Sequence, residues 1–550
     1  MLLDLKAVVG VLGALLCALG VGLLAPMGVA LGYGEDVWWS FAVTALASLG
    51  AGGAVWVAFR PTRELRVREG FAIVATAWFV LSLVGALPWV MTGTLGLTDA
   101  FFETMSGFTT TGATILGGAD TPAIEAVANA FLFWRSLTHW LGGMGIIVLT
   151  LAVLPLLGVG GMQLFKAEVP GPSADKLTPR VRETAKRLWA IYVGLTLVQA
   201  LLLLPAMSPF DAVNHAFATM ATGGFSTENG SVGQYASAYV DGVITVFMVL
   251  AGVNFSLHYA LLHGRVGSVL RSEELRVYAA ILLGATALLT VVLWEPAQAV
   301  VPGTVTLDGE VVEGEPLEGG ADGVAAEEER TTPEDRAGAG EMGGGAELPE
   351  SDSPVTGRTV VRYEGFWTSF RYAAFQAAAI VTTTGFGTAD YELWPPLAAA
   401  VIFALFFVGG MAGSTGGGVK VVRVLLVLKN SFREVRQLLH PQAVLPVRLD
   451  HRVVPEGIMR NVLSFIVLYI GLIGVGTLVM GFLGLDLLSA FSATLSSVGN
   501  VGPAFGTFGP TENYTHVPAV GKWVLSLLMM AGRLEIFTVL MLFLPAFWKR

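Results

Sequence analysis

The chain has 550 residues, of which 54% are hydrophobic and only 13% charged, and its mean hydropathy is +0.68. That is too little charge to cover the surface of a soluble domain of this size, which excludes an ordinary soluble globular protein. The net charge of −10 is local: residues 301–354 carry fifteen acidic and two basic residues (Arg330 and Arg336), a net of −13, so the rest of the chain stands at about +3.

The first two predicted elements are apolar runs at 7–30 and 38–59, each long enough for the ~20 residues that cross a bilayer as a helix. The first is too long for a signal-peptide core and is followed at once by a second, so it reads as a retained span. The lone cysteine, Cys17, lies inside it and permits no intrachain disulfide; it reads as a packing residue. Four similar units follow, at 61–162, 163–264, 265–430 and 431–550. Each has an apolar helix, a short amphipathic stretch, a Thr/Ser/Gly-rich turn and a second apolar helix. Clear spans are 71–90, 462–482 and 523–547. The short stretches, at 98–108, 209–220, 366–380 and 486–496, cannot span and suit re-entrant helices.

The turns read Thr110-Thr111-Gly112-Ala113-Thr114, Thr222-Gly223-Gly224-Phe225-Ser226, Thr383-Thr384-Gly385-Phe386-Gly387 and Val498-Gly499-Asn500-Val501-Gly502. Gly112 to Gly223 is 111 positions and Gly385 to Gly499 is 114. Gly223 to Gly385 is 162, and 108 without the 54 residues of the acidic segment. A period near 110 marks internal repetition, with 301–354 inserted into the third unit. The insertion is rich in Gly, Glu and Pro and nearly free of aromatics, a composition that predicts disorder. Basic clusters fall in alternate connections: Arg60–Arg68, Lys166–Arg187, Arg265–Arg276, Lys429–Arg452 and the terminal Lys549-Arg550. The positive-inside rule puts these, and both termini, in the cytoplasm of a multi-pass plasma-membrane protein.

Irregular backbone at membrane depth is tolerated only inside protein or along a water-filled path. Four Gly-rich turns can converge on one axis, where their carbonyl oxygens replace the hydration shell of an alkali cation. The C-terminal, partly negative ends of the re-entrant helices favour a cation there. The alternative for any single turn is an ordinary small-residue packing motif. The expected architecture is therefore all-α: four helix–re-entrant pore loop–helix repeats around one pore, plus two N-terminal transmembrane helices.

The turn Thr383-Thr384-Gly385-Phe386 and the run Gly499-Asn500-Val501-Gly502-Pro503 resemble the Trk/Ktr/HKT superfamily of potassium transporters. So do the glycine-rich run from Gly409 to Lys420, His440-Pro441-Gln442-Ala443-Val444 and Gly532-Arg533-Leu534-Glu535. The resemblance covers nearly the whole chain outside the insertion, and the two extra N-terminal spans favour the Trk type over the shorter Ktr type. It implies K+ as the transported ion and one filter segment per repeat, mapped onto Gly112, Gly223, Gly385 and Gly499. The flanking filter residues are Thr110, Thr111, Thr222, Gly224, Thr383, Thr384, Phe386, Val498 and Asn500. Sodium-preferring members often carry serine at the first-repeat filter position; Gly112 favours potassium. A homodimer in membrane lipid, seated on a cytoplasmic ring of nucleotide-binding regulatory subunits, is also implied. No nucleic-acid partner and no organic cofactor are expected.

Six of the ten residues 409–418 are glycine, so a helix should break there. A packing seam is one reading. The resemblance implies instead an intramembrane gate below the filter, built from Gly409, Gly410, Gly413, Ser414, Thr415, Gly416, Gly417 and Gly418. Arg533 lies in the last apolar run, where a charge must face water or the protein interior. It either pairs with Glu535 or Glu512 or faces the conduction path. His139, His215 and His258 lack ligand spacing and read as packed or interfacial residues. Asp99, Glu103 and Asp211 are expected near helix starts on the outer side. No phosphate-binding loop or dinucleotide fingerprint is present, so nucleotide control would require a separate subunit. The rival classes are a sodium-selective or non-selective member of the same superfamily and a membrane-embedded enzyme using His139 or Glu535. The latter lacks a convergent acid, nucleophile or metal cluster.

Overall fold

The computed structural model describes residues 4–61, 65–118, 120–152, 177–295, 304–307, 310–313 and 361–548. Among these, six helices are long and apolar enough to cross a membrane, and eight spans result if two sharply bent pairs are counted. The protein is a multi-pass membrane protein.

Helices Leu5–Tyr33 and Trp38–Phe59 form an antiparallel N-terminal hairpin. Their seam is made of small residues: a β-carbon at Gly13 would lie 2.7 Å from Gly52 O, and one at Gly20 2.9 Å from Ala45 O. Such close approach replaces the hydrophobic driving force that lipid removes. The hairpin is fastened to the first repeat by Glu35, whose carboxylate accepts from Asn129 N at 2.6 Å and Ala130 N at 3.0 Å. Those are orphan donors at the start of the long helix Asn129–Ala152, and an acid there suits the helix dipole.

Each repeat then has an outer helix, a short pore helix and an inner helix. In the first these are Val67–Gly85 (continued by Leu87–Met91), Leu97–Phe108 and Asn129–Ala152. In the second they are Leu177–Leu203, Pro209–Met220, and Ala238–Ala251 bent by 99° into Phe255–Leu262. The third has Glu273–Leu293 and Phe366–Val381, and its inner helix is split into Pro396–Leu405 and Val421–Leu439 by the irregular segment 406–420. The fourth has Glu456–Phe482, Leu487–Gly499, and Ala519–Arg533 bent by 115° into Phe537–Phe543. The run 523–547, expected as one span, is thus two pieces: Glu535 and Ile536 at the corner adopt left-handed φ of 63° and 47°.

The pore helices form the buried core. Every residue from Ala100 to Phe108 is buried, as is every residue from Gln376 to Val381. Strand pair Trp294–Glu295 and Tyr363–Glu364 brings together the two ends that flank the acidic insertion. Within the insertion, Thr304–Leu307 pairs antiparallel with Glu310–Glu313, a short hairpin where disorder was expected. The rest of that segment, and the basic residues from Lys166 to Lys176, lie outside the described residues.

Candidate functional site

One or two residues past the end of each pore helix stands a residue with left-handed backbone, followed two positions later by a glycine with positive φ. The pairs are Thr110 (52°) and Gly112 (81°), Thr222 (55°) and Gly224 (79°), Thr383 (59°) and Gly385 (77°), and Asn500 (54°) and Gly502 (102°). Left-handed threonine is a true outlier, because its branched β-carbon crowds the backbone. Each such residue costs about 1–3 kcal/mol and persists only where the surroundings enforce it. Three in equivalent places mark a built feature.

The register of the repeats follows from this pattern and corrects the spacing argument. Gly112 and Gly385 are equivalent, as expected. Their partner in the second repeat is Gly224 rather than Gly223, and in the fourth Gly502 rather than Gly499. Gly499 is the last residue of its pore helix and has ordinary φ.

The four segments close into a ring. A β-carbon on Gly112 would land on the carbonyl oxygen of Gly223, and one on Gly224 on that of Thr384. One on Gly385 would meet Val501 O, and one on Gly502 would meet Thr111 O. Each repeat therefore sets its glycine against the carbonyl of the next repeat's middle residue, and the fourth returns to the first. Alternating left- and right-handed backbone puts successive carbonyls on one side of a segment, which an ordinary pleated strand does not do.

The ring is held from behind. Thr109 and Thr111 share a hydroxyl hydrogen bond of 2.8 Å, and Thr382 and Thr384 one of 2.7 Å. Asn500 Nδ2 donates to Thr111 Oγ1 at 3.0 Å and to Met529 O at 2.9 Å, joining the fourth repeat to the first. Phe386 is buried and stacks on His215. Val498 is buried, with its carbonyl against Gly532.

A buried ion pair went unrecognised in the sequence. Arg135, on the first inner helix, binds Glu103 at 2.7 Å. It also donates to Ser226 O at 3.0 Å and lies over the Phe225 ring at 4.1 Å. Glu103 accepts in turn from Ile115 N at 2.8 Å and Thr114 Oγ1 at 2.9 Å. Glu103 is 1% exposed and mid-helix, not an acid near a helix start on the outer side. Asp99 and Asp211 do sit in first turns, bound to Lys522 at 2.6 Å and to Thr227 Oγ1 at 2.7 Å respectively. His215 bonds Ser226 Oγ, and His258 bonds Leu250 O. His139 is fully buried behind Gly223. Among the described residues no three His, Cys, Asp or Glu side chains could share a metal ion.

Residues 409–418 are not helical and lie against the inner end of the ring. Gly409 N bonds Val419 O at 2.7 Å and Val421 N bonds Gly410 O at 3.2 Å, closing the segment on itself. Met411 N donates to Gly252 O and Phe255 N to Gly413 O, tying it to the bend of the second inner helix. Ser414 Oγ bonds Met411 O, and Thr415 Oγ1 lies 3.0 Å from Met220 O. Gly417 N donates to Thr383 Oγ1 at 2.6 Å, and Lys420 Nζ reaches Gly416 O. Gly418 has φ of 63°. Ala412 N is held by Glu274 at 2.7 Å.

Arg533 donates from Nη1 to Thr415 O at 2.7 Å and is 3% exposed. Neither Glu535 nor Glu512 is its hydrogen-bond partner: Glu535 pairs with Arg423, which sits over the Phe465 ring. Of the two readings of Arg533, the pairing with Glu535 is therefore not the one the structure adopts.

The chain matches the family model described as "TrkH: Cation transport protein" over residues 40–306 and 353–550. It is 36% identical over 554 residues to the Trk system potassium uptake protein TrkH of Halomonas elongata, and 36% over 553 residues to that of Escherichia coli K12, each covered completely. It is 31% identical to the Trk system potassium uptake protein TrkG of Escherichia coli K12 over 99% of both chains. Among solved structures it resembles the crystal structure of the potassium transporter TrkH from Vibrio parahaemolyticus, with a TM-score of 0.79, 32% identity and full coverage of both chains.

Proposed function

Because the chain belongs to the TrkH family of cation transport proteins, we propose that it takes up potassium across the plasma membrane through the ring at its centre. The observation that carries this reading is the closed circle of contacts between one glycine and the next repeat's carbonyl. Carbonyl oxygens so gathered replace the water around a dehydrated alkali cation, and the C-terminal ends of four buried pore helices add negative potential. The filter residues are Thr110, Thr111 and Gly112; Thr222, Gly223 and Gly224; Thr383, Thr384 and Gly385; and Asn500, Val501 and Gly502.

The segment 409–418 is the gate in this reading, and Arg533 holds it shut. Support comes from the position of the segment under the ring and from the Arg533–Thr415 bond. A buried guanidinium there also raises the barrier to a cation. Inward-rectifying charge is not needed: the membrane potential drives a cation inward, worth ~2.3 kcal/mol per 100 mV. The basic clusters support a cytoplasmic side for the gate and both termini. A homodimer with cytoplasmic nucleotide-binding subunits completes the proposal, since the chain carries no phosphate-binding loop of its own.

Growth rescue of a potassium-uptake-deficient cell on low potassium tests the function, with sodium and rubidium as comparisons. Rescue by sodium transport alone, or no rescue by a protein that reaches the membrane, would refute it.

A further inference from the structure

Thr110, Thr222 and Thr383 occupy the same backbone position in three repeats, and Asn500 occupies it in the fourth. Their side chains are used differently. The Thr110 hydroxyl is buried with no partner. That of Thr222 donates to Ala221 O at 2.6 Å. That of Thr383 accepts the N–H of Gly417. The 416–417 peptide is pressed against the ring's inner end: a β-carbon on Gly416 would lie 3.0 Å from Thr382 O, and one on Gly417 would land on Gly499 O. Gly417 cannot be replaced without moving the peptide away from Thr383.

We propose that Thr383 is shared between the gate and the ion path. Its hydroxyl fastens residues 409–418 in the closed protein and becomes an oxygen ligand for the dehydrated cation when that segment leaves. The proposal rests on reading 409–418 as the gate. Its physical basis is exclusion. A cation and an amide hydrogen both seek the same oxygen lone pairs, and the N–H dipole presents positive charge where the ion would sit. Gate closure and occupancy at this oxygen therefore compete, and a ligand that binds one state only shifts the equilibrium toward it. The permeant ion itself favours opening. Thr110, with the same backbone and a hydroxyl free of the gate, is the internal control.

The test uses the full-length protein in lipid nanodiscs. Hydrogen exchange by mass spectrometry is followed on the peptide containing Gly417, and labelled rubidium uptake is measured in parallel liposomes. Thr383→Val keeps the shape and removes the hydroxyl; Thr383→Ser keeps the hydroxyl. Loss of one hydrogen bond should raise exchange roughly two- to tenfold in Thr383→Val. Thr383→Ser and Thr110→Val should exchange like the parent. Replacing N-methylglucamine by potassium should raise exchange in the parent and leave Thr383→Val unresponsive. Parent-like exchange in Thr383→Val, an equal rise in Thr110→Val, or an undiminished potassium response in Thr383→Val would each overturn the proposal. A parent that carries no rubidium would refute the transport function and the ion half of the proposal together; the exchange comparison would still decide whether Thr383 holds the gate.

Discussion

If Arg533 holds residues 409–418 shut, as proposed, replacing it with glutamine should open the protein. Only one hydrogen bond from Arg533 reaches that segment, Nη1 to Thr415 O at 2.7 Å. Its Nε and Nη2 have no hydrogen-bond partner, so the substitution strands no other group. Glu535 keeps Arg423, so no carboxylate is left unpaired. A hydrogen bond to a charged group contributes about 1.5–3 kcal/mol. Removing it should shift the closed-to-open ratio by roughly 10- to 150-fold, since each ~1.4 kcal/mol is tenfold. Basal potassium flux in the absence of any regulatory subunit should rise by that factor until the open state predominates. Arg533→Lys should fall between, keeping the charge but losing the planar fork. The assay is flux into potassium-loaded liposomes, normalised to folded protein by size-exclusion chromatography. If Arg533 only packs the helices together, yield and Tm fall while flux per folded molecule stays flat. A flat or reduced value refutes the argument.

The corrected register gives a paired test: Gly224→Ala should cost about 1–2 kcal/mol of left-handed strain and lower the rubidium-to-sodium flux ratio, whereas Gly499→Ala, with ordinary φ and its nearest contact at 3.3 Å, should leave that ratio near the parent's. Glu103→Gln breaks the buried pair with Arg135 and should lower stability by about 3–5 kcal/mol, read as a drop in Tm by fluorescence-detected chromatography. Deleting residues 301–354 and joining the ends with a short Gly/Ser linker should leave uptake within about twofold of the parent, because pairing of Trp294–Glu295 with Tyr363–Glu364 already holds the flanks together; loss of uptake in a deletion that reaches the membrane would show that the insertion serves the pore.

The repeats were legible because membrane depth forces periodic composition, and the pore helices emerged within a few residues of their expected bounds. The register was not, for two local reasons. Thr222-Gly223-Gly224 offers consecutive glycines, and spacing cannot say which one takes positive φ. In the fourth repeat Asn500 stands where the others have threonine, with one glycine, Gly499, just before it and another, Gly502, two after, so the motif alone offers two glycines. Aligning on a left-handed-tolerant residue two before glycine would have found Thr110/Gly112, Thr222/Gly224, Thr383/Gly385 and Asn500/Gly502, because asparagine tolerates that conformation. Arg135 was discoverable by the reasoning applied to Arg533: it is a lone charge in the apolar helix Asn129–Ala152. Its partner could not be foreseen, since Glu103 is 32 residues away and the short pore helix must fold back to bring it near. The same limit hid the exchange of partners between Arg423, Glu535 and Arg533.

If residues 409–418 are the gate, as proposed, the breaks in the inner helices mean that it needs water to open. Repeats two, three and four break at the inner side of the ring, while the first inner helix runs on to Ala152. Each break frees backbone groups that no helix satisfies. Residues 409–418 satisfy those of the second repeat, Gly252 O taking Met411 N and Gly413 O taking Phe255 N, while Thr415 O within the segment takes the Arg533 side chain. The breaks and residues 409–418 are thus one hydrogen-bonded unit, and moving that segment leaves several buried donors and acceptors unpaired together. At about 1–3 kcal/mol for each orphaned group, a dry opening is prohibitive. On the proposed gating, opening must therefore bring water under the ring as the segment leaves, and that water is also what a cation emerging from the carbonyls would need to rehydrate. On that reading, the same exchange of partners that frees the segment would prepare the inner side of the path to receive the ion.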